Sequence, residues 1–401
     1  MGLNGDEAVA LAVKQSDVDV VAAYPITPQT IIVEKFSEYV ANGEVNTEFI
    51  CTESEHSAMT ACLAAAATGA RTFTASASAG LALMHEMLFV TSGCRAPVVM
   101  AIANRALSAP LNIHGDHSDT MAQRDSGWIQ IYAENAQEVY DSIFQAFRIA
   151  EHLDVQLPVM VGLDGFTLSH TLENVQVLAD ADVKKFVGTR QLPNVLTHDG
   201  KTVPYRLDPA SPMTMGPVAY PNYYFEFKRQ QEEAMKNALK VIMQVHEEYG
   251  KLTGRYYGNG LIEKYELDDA EIAIVCLGST AGTVKTVVDK LRTEGVKAGL
   301  LRIRSFRPFP AEELARALSK VKAVAVMERS MSFGGNGGAV YHETRHALYD
   351  LSSHPHIVSY IHGLGGRDTS PTQIRRIFED LQKIVQTGKV DEKMRYVGLR
   401  E

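Results

Sequence analysis

The sequence predicts an α/β protein made of two doubly wound, mostly parallel-sheet domains. Short and almost wholly aliphatic runs, such as 97–103, suit strands buried on both faces of a parallel sheet. Between them lie longer stretches with apolar residues three and four apart, the period of helices laid on such a sheet. The alternation stops after Leu163 and resumes near Glu271, and 401 residues exceed one ordinary core. The expected organisation is a domain over 1–165, an extended connection with a long helix over 166–260, and a second domain over 261–401.

The first helix is expected over 6–14, with Ala8, Leu11 and Ala12 on one face, followed by the apolar strand 18–24. The turn Pro25-Ile26-Thr27-Pro28 comes next, its backbone fixed by two prolines. Thr27 suits an N-cap and Pro28 the first position of a helix that stops at Asn42-Gly43. A hydroxyl on a rigid turn at the carboxyl end of a parallel strand is also how such folds present ligand contacts, so Thr27 carries both readings.

A strand over 47–51 then turns into a helix at Glu55. Thr52-Glu53-Ser54-Glu55 has the spacing of a capping box, in which Thr52 accepts from the third helical N–H and Glu55 bonds back to Thr52. Behind it the helix from Ala58 to Ala67 is dominated by small residues, with no long polar side chain to solvate a carboxyl group. A cap needs no such setting and a proton-exchanging acid does, so Glu55 carries both readings, with the spacing on the side of the cap.

After the strand 72–76 and a small-residue turn, a helix is expected over 81–91, then the strand 97–103, which runs into Asn104-Arg105. Thr27, Glu55 and Arg105 thus fall at the ends of three strands that one sheet edge can gather. Arg105 alone reads as a solvated charge, but an Arg fork beside a hydroxyl is a receptor for a small carboxylate. The loop from His114 to Asp119 holds two His and two Asp within six residues. Its spacing matches no metal-ligand pattern, and Gly115 favours a hydrogen-bonded turn that shapes a pocket.

A strand over 128–133, a helix over 135–153 and a strand over 157–163 complete the first domain. Prolines at 193, 204, 209, 212, 217 and 221 mark a wandering connection, closed by a charged helix over 223–249. In the second domain, strands are expected over 271–277, 298–304, 323–329 and 356–362. The loop from Gly334 to Gly338 lacks both the Walker lysine and the Gly-x-Gly-x-x-Gly spacing, and reads as a packing turn or partner contact. No residue of this half stands out as an acid, base or nucleophile.

A net charge of -9 argues against nucleic-acid or anionic-membrane partners. There is no membrane-spanning run and no secretion signal, so a cytoplasmic location is expected. Cys51, Cys62, Cys94 and Cys276 are scattered, with no Cys-x-x-Cys pair. They are expected as small buried hydrophobes, so an iron–sulfur cluster would have to sit on another chain.

Six segments, 24–30, 52–58, 104–108, 115–117, 307–310 and 363–368, together resemble the alpha subunits of the pyruvate:ferredoxin oxidoreductase family, and the likeness runs from Asp6 to about Val385. The resemblance implies a thiamine diphosphate enzyme in which a pyrimidine-binding domain precedes one similar to the transketolase carboxyl-terminal domain. It puts the pyrimidine-activating glutamate on Glu55, the substrate-facing threonine on Thr27 and the substrate-binding arginine on Arg105, with Glu55 and Thr27 as cofactor contacts. It implies a beta subunit that holds the diphosphate and Mg2+, ferredoxin-like gamma and delta subunits, 4Fe-4S clusters only on partner subunits, coenzyme A as cosubstrate and ferredoxin as electron acceptor. The implied reaction is the reversible oxidative decarboxylation of pyruvate to acetyl-CoA and CO2. Two alternatives stay open: a sister enzyme for 2-oxoisovalerate or another 2-oxoacid, and an assembly subunit with no catalytic residues.

Overall fold

The computed structural model describes residues 1–400. All six strands expected in the first half form, and with one more they make a seven-stranded sheet in the order 305–307, 129–132, 159–164, 98–104, 72–76, 20–23, 48–51. The first pair is antiparallel and the others are parallel. Val98–Asn104 and Val159–Asp164 are buried along their whole length, which is why they read as unbroken aliphatic runs.

Helices Gly5–Gln15 and Ala136–Ala150 share one apolar core with Phe73, Val99 and Val161. Helix Glu55–Ala67 contributes Ala58, Met59, Cys62 and Ala66 to another, with Met100 and Trp128. Ala136–Ala150 is buried nearly all round because the long helix Pro221–Thr253 lies over its outer side, adding Ala238, Val241 and Val245 to the same core. Phe144 and Phe147, fully buried there, contribute about 2 to 3 kcal/mol each.

The second sheet has the order 262–265, 298–303, 272–276, 323–328, 356–361, 394–396, parallel except at its first pair. Its four expected strands form. The two outer ones, short and only partly apolar, were not expected. The chain leaves this sheet at Ile303, and Ser305–Arg307 then joins the edge of the first sheet beside Gln130 and Ile131.

Arg302 and Arg304, fully buried at this crossing, meet the equally buried Glu138 of helix Ala136–Ala150. Arg302 Nη1 donates to Glu138 Oε2 at 2.6 Å, and Arg304 Nε to Oε1 at 2.8 Å. Burial alone would raise the Glu138 carboxyl, but the two guanidiniums outweigh it and hold it below its ordinary value.

The expected helix over 81–91 is two, Ser78–Leu83 and His85–Gly93, joined at Met84. The connection wraps the far end of the Glu55 helix: Leu207 N donates to Ala67 O at 2.7 Å and Arg190 Nη2 to Ala66 O at 3.2 Å. The cysteine expectation needs correcting. Cys62 and Cys276 are buried, but Cys94 is half-buried and Cys51, at the end of an outer strand with a neighbour on one side only, is exposed. Among the described residues no helix is long and apolar enough to cross a membrane.

Candidate active site

The carboxyl edge of the first sheet carries all three residues singled out above, each just beyond its strand. Thr27 does not cap the next helix. That helix runs Thr30–Ala41, its N-cap position is Gln29 with no side-chain cap bond, and Pro28 lies in the turn before it. The turn is pinned instead by Gln29, fully buried, whose Oε1 accepts from Ile26 N at 3.1 Å and whose Nε2 donates to Ala75 O at 2.8 Å. Thr27 is left exposed, its hydroxyl without a partner among the described residues.

The capping box is not formed either. The N-cap is Ser54, whose Oγ accepts from Ser57 N at 3.2 Å, while the Thr52 hydroxyl donates to Ala23 O and Ser54 O at 3.3 and 3.0 Å. With the cap two residues later than the spacing suggested, Glu55 becomes the first residue of the helix and cannot bond back to the cap. The residue is only 6% exposed, and its carboxyl group accepts no hydrogen bond from any described residue.

Gly80 makes the space: a Cβ there would stand 2.4 Å from Glu55 Oε1 and 2.7 Å from Ser76 Oγ. The Ser76 hydroxyl is also buried without a partner. Buried polar groups in folded chains are nearly always hydrogen-bonded, so an orphan hydroxyl beside a carboxyl group that no described residue bonds marks a place that a ligand can complete.

Arg105, 7% exposed, is held by its main chain and two corners of its fork. Its N–H donates to Asp119 Oδ2 at 2.9 Å, Nε to Asn112 O at 3.0 Å and Nη1 to Thr27 O at 2.9 Å. Nη2 has no partner among the described residues. The structure thus joins Arg105 to Thr27 directly. Glu55 bonds to neither, and lies beyond the adjacent strand end.

Asp119 ties the two parts together. It also accepts from Ser78 N at 3.0 Å and Asn104 Nδ2 at 2.8 Å, and Ser78, with its left-handed φ of +46°, opens the short helix that contains Gly80. Burial pushes the Asp119 carboxyl up to about 6, against the pull of the Arg105 N–H and these donors.

The loop from His114 to Asp119 is a hydrogen-bonded one. Asp116 accepts from Ser118 N at 3.0 Å, and His117 Nε2 lies 2.5 Å from Asp164 Oδ1. Asp164 also accepts from Arg329 Nη1 at 3.0 Å and Ser279 N at 3.0 Å, so this carboxylate fills the crevice at the strand ends of the second sheet. Burial would raise it, but Arg329 and His117 hold it far below the usual carboxylate range. Among the described residues no group of three or more His, Cys, Asp or Glu is placed to hold a metal ion.

The glycine loop of the second half already cradles an anion of its own chain: Gly338 N and Val340 N each donate to the Glu328 carboxyl at 3.0 Å. Burial pushes Glu328 up to about 7 despite those bonds. Sequence reasoning passed over Gln29, Asn112 and Gly80, and grouped Asp119 with its loop without seeing that it seats Arg105. Only Asp119 left a signal, in the density of polar residues around Gly115.

Comparison with known proteins bears on what this edge serves. Residues 11–247 match the family described as "Pyruvate flavodoxin/ferredoxin oxidoreductase, thiamine diP-bdg", and residues 270–374 match "Pyruvate:ferredoxin oxidoreductase core domain II". The chain is 51% identical to pyruvate synthase subunit PorA of Methanocaldococcus jannaschii, over 100% of this chain and 98% of the relative. It is 44% identical to ketoisovalerate oxidoreductase subunit VorA of Pyrococcus abyssi, over 99% and 97%. Among solved structures, 2-oxoglutarate:ferredoxin oxidoreductase from Magnetococcus marinus superposes with a TM-score of 0.74 at 20% identity, covering 95% of this chain and 65% of that one. That likeness is one of fold.

Proposed function

The chain belongs to the pyruvate:ferredoxin oxidoreductase family, and on that premise we propose that it presents Glu55, Thr27 and Arg105 to a shared thiamine diphosphate and a 2-oxoacid, pyruvate first among them. The observation that carries the reading is that Glu55, a largely buried residue, keeps its carboxyl free of any bond from the described residues beside the gap left by Gly80. The residues present fit the aminopyrimidine end of such a cofactor, since they offer one acid at a helix N-terminus and an orphan hydroxyl, Ser76. Once bound, the cofactor supplies a carbon nucleophile for the keto group and a sink for the electrons left when carbon dioxide departs.

The work of this chain follows from its own groups. Glu55 shares a proton with the ring nitrogen of the aminopyrimidine, and its low exposure keeps water from competing for that proton. Arg105 turns its free Nη2 to the substrate carboxylate, with the Thr27 hydroxyl beside it, and so fixes the keto carbon in place. Residues 1–165 would hold the pyrimidine and 261–401 would form the transketolase-like carboxyl-terminal domain, with 166–260 between them.

Partner chains, a beta subunit with the diphosphate and Mg2+ and ferredoxin-like gamma and delta subunits, would complete the enzyme and carry its clusters, and coenzyme A would take the acyl group. The VorA likeness supports one further reading, a branched-chain 2-oxoacid as preferred substrate. Purification of the chain from its native source tests the proposal: a co-purifying brown, cluster-bearing chain and faster turnover of pyruvate than of 2-oxoisovalerate are expected. A homogeneous lone chain would count against the reading, and the reverse substrate preference would select the sister activity.

A further inference from the structure

We propose that Asn112 is a positioning residue for Arg105 and takes its own place from the Leu364–Gly366 turn, so that the second unit sets the grip on the substrate carboxylate. The inference rests on the reading of Arg105 given above. Two backbone carbonyls aim the guanidinium, those of Thr27 and Asn112. The Thr27 carbonyl belongs to a turn that Gln29 anchors in the first sheet.

Asn112 has no such anchor at home. It lies in a loop between Leu111 and Ile113, 74% and 41% exposed, and no strand or helix of the first unit includes it. Its side chain supplies the hold. Nδ2 donates to Gly365 O at 3.0 Å, and Oδ1 accepts from His114 N at 2.8 Å.

One more bond fastens the same two segments, Gly365 N to Asp116 Oδ2 at 3.0 Å, and Arg329, elsewhere in the second unit, donates from Nη2 to Gly115 O at 2.7 Å. Gly365 has φ of +59°, and a Cβ there would stand 2.3 Å from Asn112 Nδ2. The turn is therefore shaped to admit the amide, and only glycine serves both needs at that position. The chain of contacts runs Gly365, Asn112 side chain, Asn112 carbonyl, Arg105, substrate carboxylate.

The test compares pyruvate KM, kcat and thiamine diphosphate affinity in the reconstituted complex for Asn112→Ala, Asn112→Asp, Gly365→Ala and Arg105→Ala. Loss of one aiming hydrogen bond should raise KM for pyruvate roughly tenfold in the first three variants, with kcat within about twofold and cofactor affinity unchanged. Asn112→Asp keeps the acceptor for His114 but sets an oxygen against the Gly365 carbonyl, so it separates the amide bond from mere loop packing. Adding Asn112→Ala to Arg105→Ala should change nothing more, because both act through one group.

An unchanged KM in Asn112→Ala beside a raised KM in Arg105→Ala overturns the relay alone. A fall in kcat and cofactor affinity without a change in KM also overturns it, by showing a structural role. A wild-type KM in Arg105→Ala brings down the reading of Arg105, and the relay with it.

Discussion

Replacing Glu55 with glutamine keeps the side chain's shape and removes its exchangeable proton. The structure fixes the two expected effects separately. The carboxyl group accepts no hydrogen bond from the described chain, so folding loses none, and the amide takes the same 6% exposed position beside Gly80. Stability should therefore change by less than about 1 kcal/mol, a shift of roughly 2–4 °C or less in the thermal midpoint.

Activity should fall much further. A positioned proton-transfer group contributes about 10²- to 10⁴-fold, or about 2.7–5.4 kcal/mol of barrier. The assay is reduction of ferredoxin by the reconstituted complex with pyruvate and coenzyme A, run beside a thermal scan of the same preparation. Turnover within about tenfold of wild type refutes the role of Glu55. A large drop in thermal midpoint would refute the premise that its carboxyl has no structural partner.

Gly80→Ala sets a Cβ 2.4 Å from Glu55 Oε1 and should lower turnover in wild type but add little to Glu55→Gln; independent losses in a double-mutant cycle would show that the gap does not serve Glu55. Glu138→Gln takes from fully buried Arg304 its one carboxylate partner among the described residues, while Arg302 keeps Glu134 and Glu263, and should destabilise by about 3–5 kcal/mol, read as a lowered thermal midpoint at unchanged pH. Glu328 is an acid whose folded value, about 7, stands above its unfolded one, about 4.3. Its contribution to stability is therefore full below about pH 4 and lost as pH rises through 7. Glu328→Gln cannot titrate, so its thermal midpoint minus that of wild type should rise between pH 5 and pH 8; a flat or falling difference refutes the shift.

Much of the fold was legible because parallel sheets buried on both faces leave unbroken aliphatic runs, as at Val98–Asn104, and all ten expected strands form, including Glu48–Cys51, which was read from alternation instead. The strands missed at the sheet edges, Ile262–Tyr265 and Met394–Tyr396, bury one side at most and carry no such run. Capping of the Glu55 helix was misjudged because Thr52 and Ser54 are both chemically able to cap; the Thr52 hydroxyl is turned to Ala23 O and Ser54 takes the cap. Glu55, Thr27 and Arg105 could be singled out as candidates because each lies within four residues of a strand's carboxyl end. Gln29, Asn112 and Gly80 could not, since their tasks are bonds and clearances to segments that lie, like Gly365, far along the chain.

The transfer of Ser305–Arg307 from one half to the other sheet's edge limits how this polypeptide can be divided. A fragment severed near residue 260 would leave the backbone of Gln130 and Ile131 bare along a sheet margin, an invitation to aggregation, and would strand the Glu138 anion in an apolar interior. Gene fission at that junction, natural or engineered, should give insoluble pieces unless both are synthesised together and anneal before either collapses.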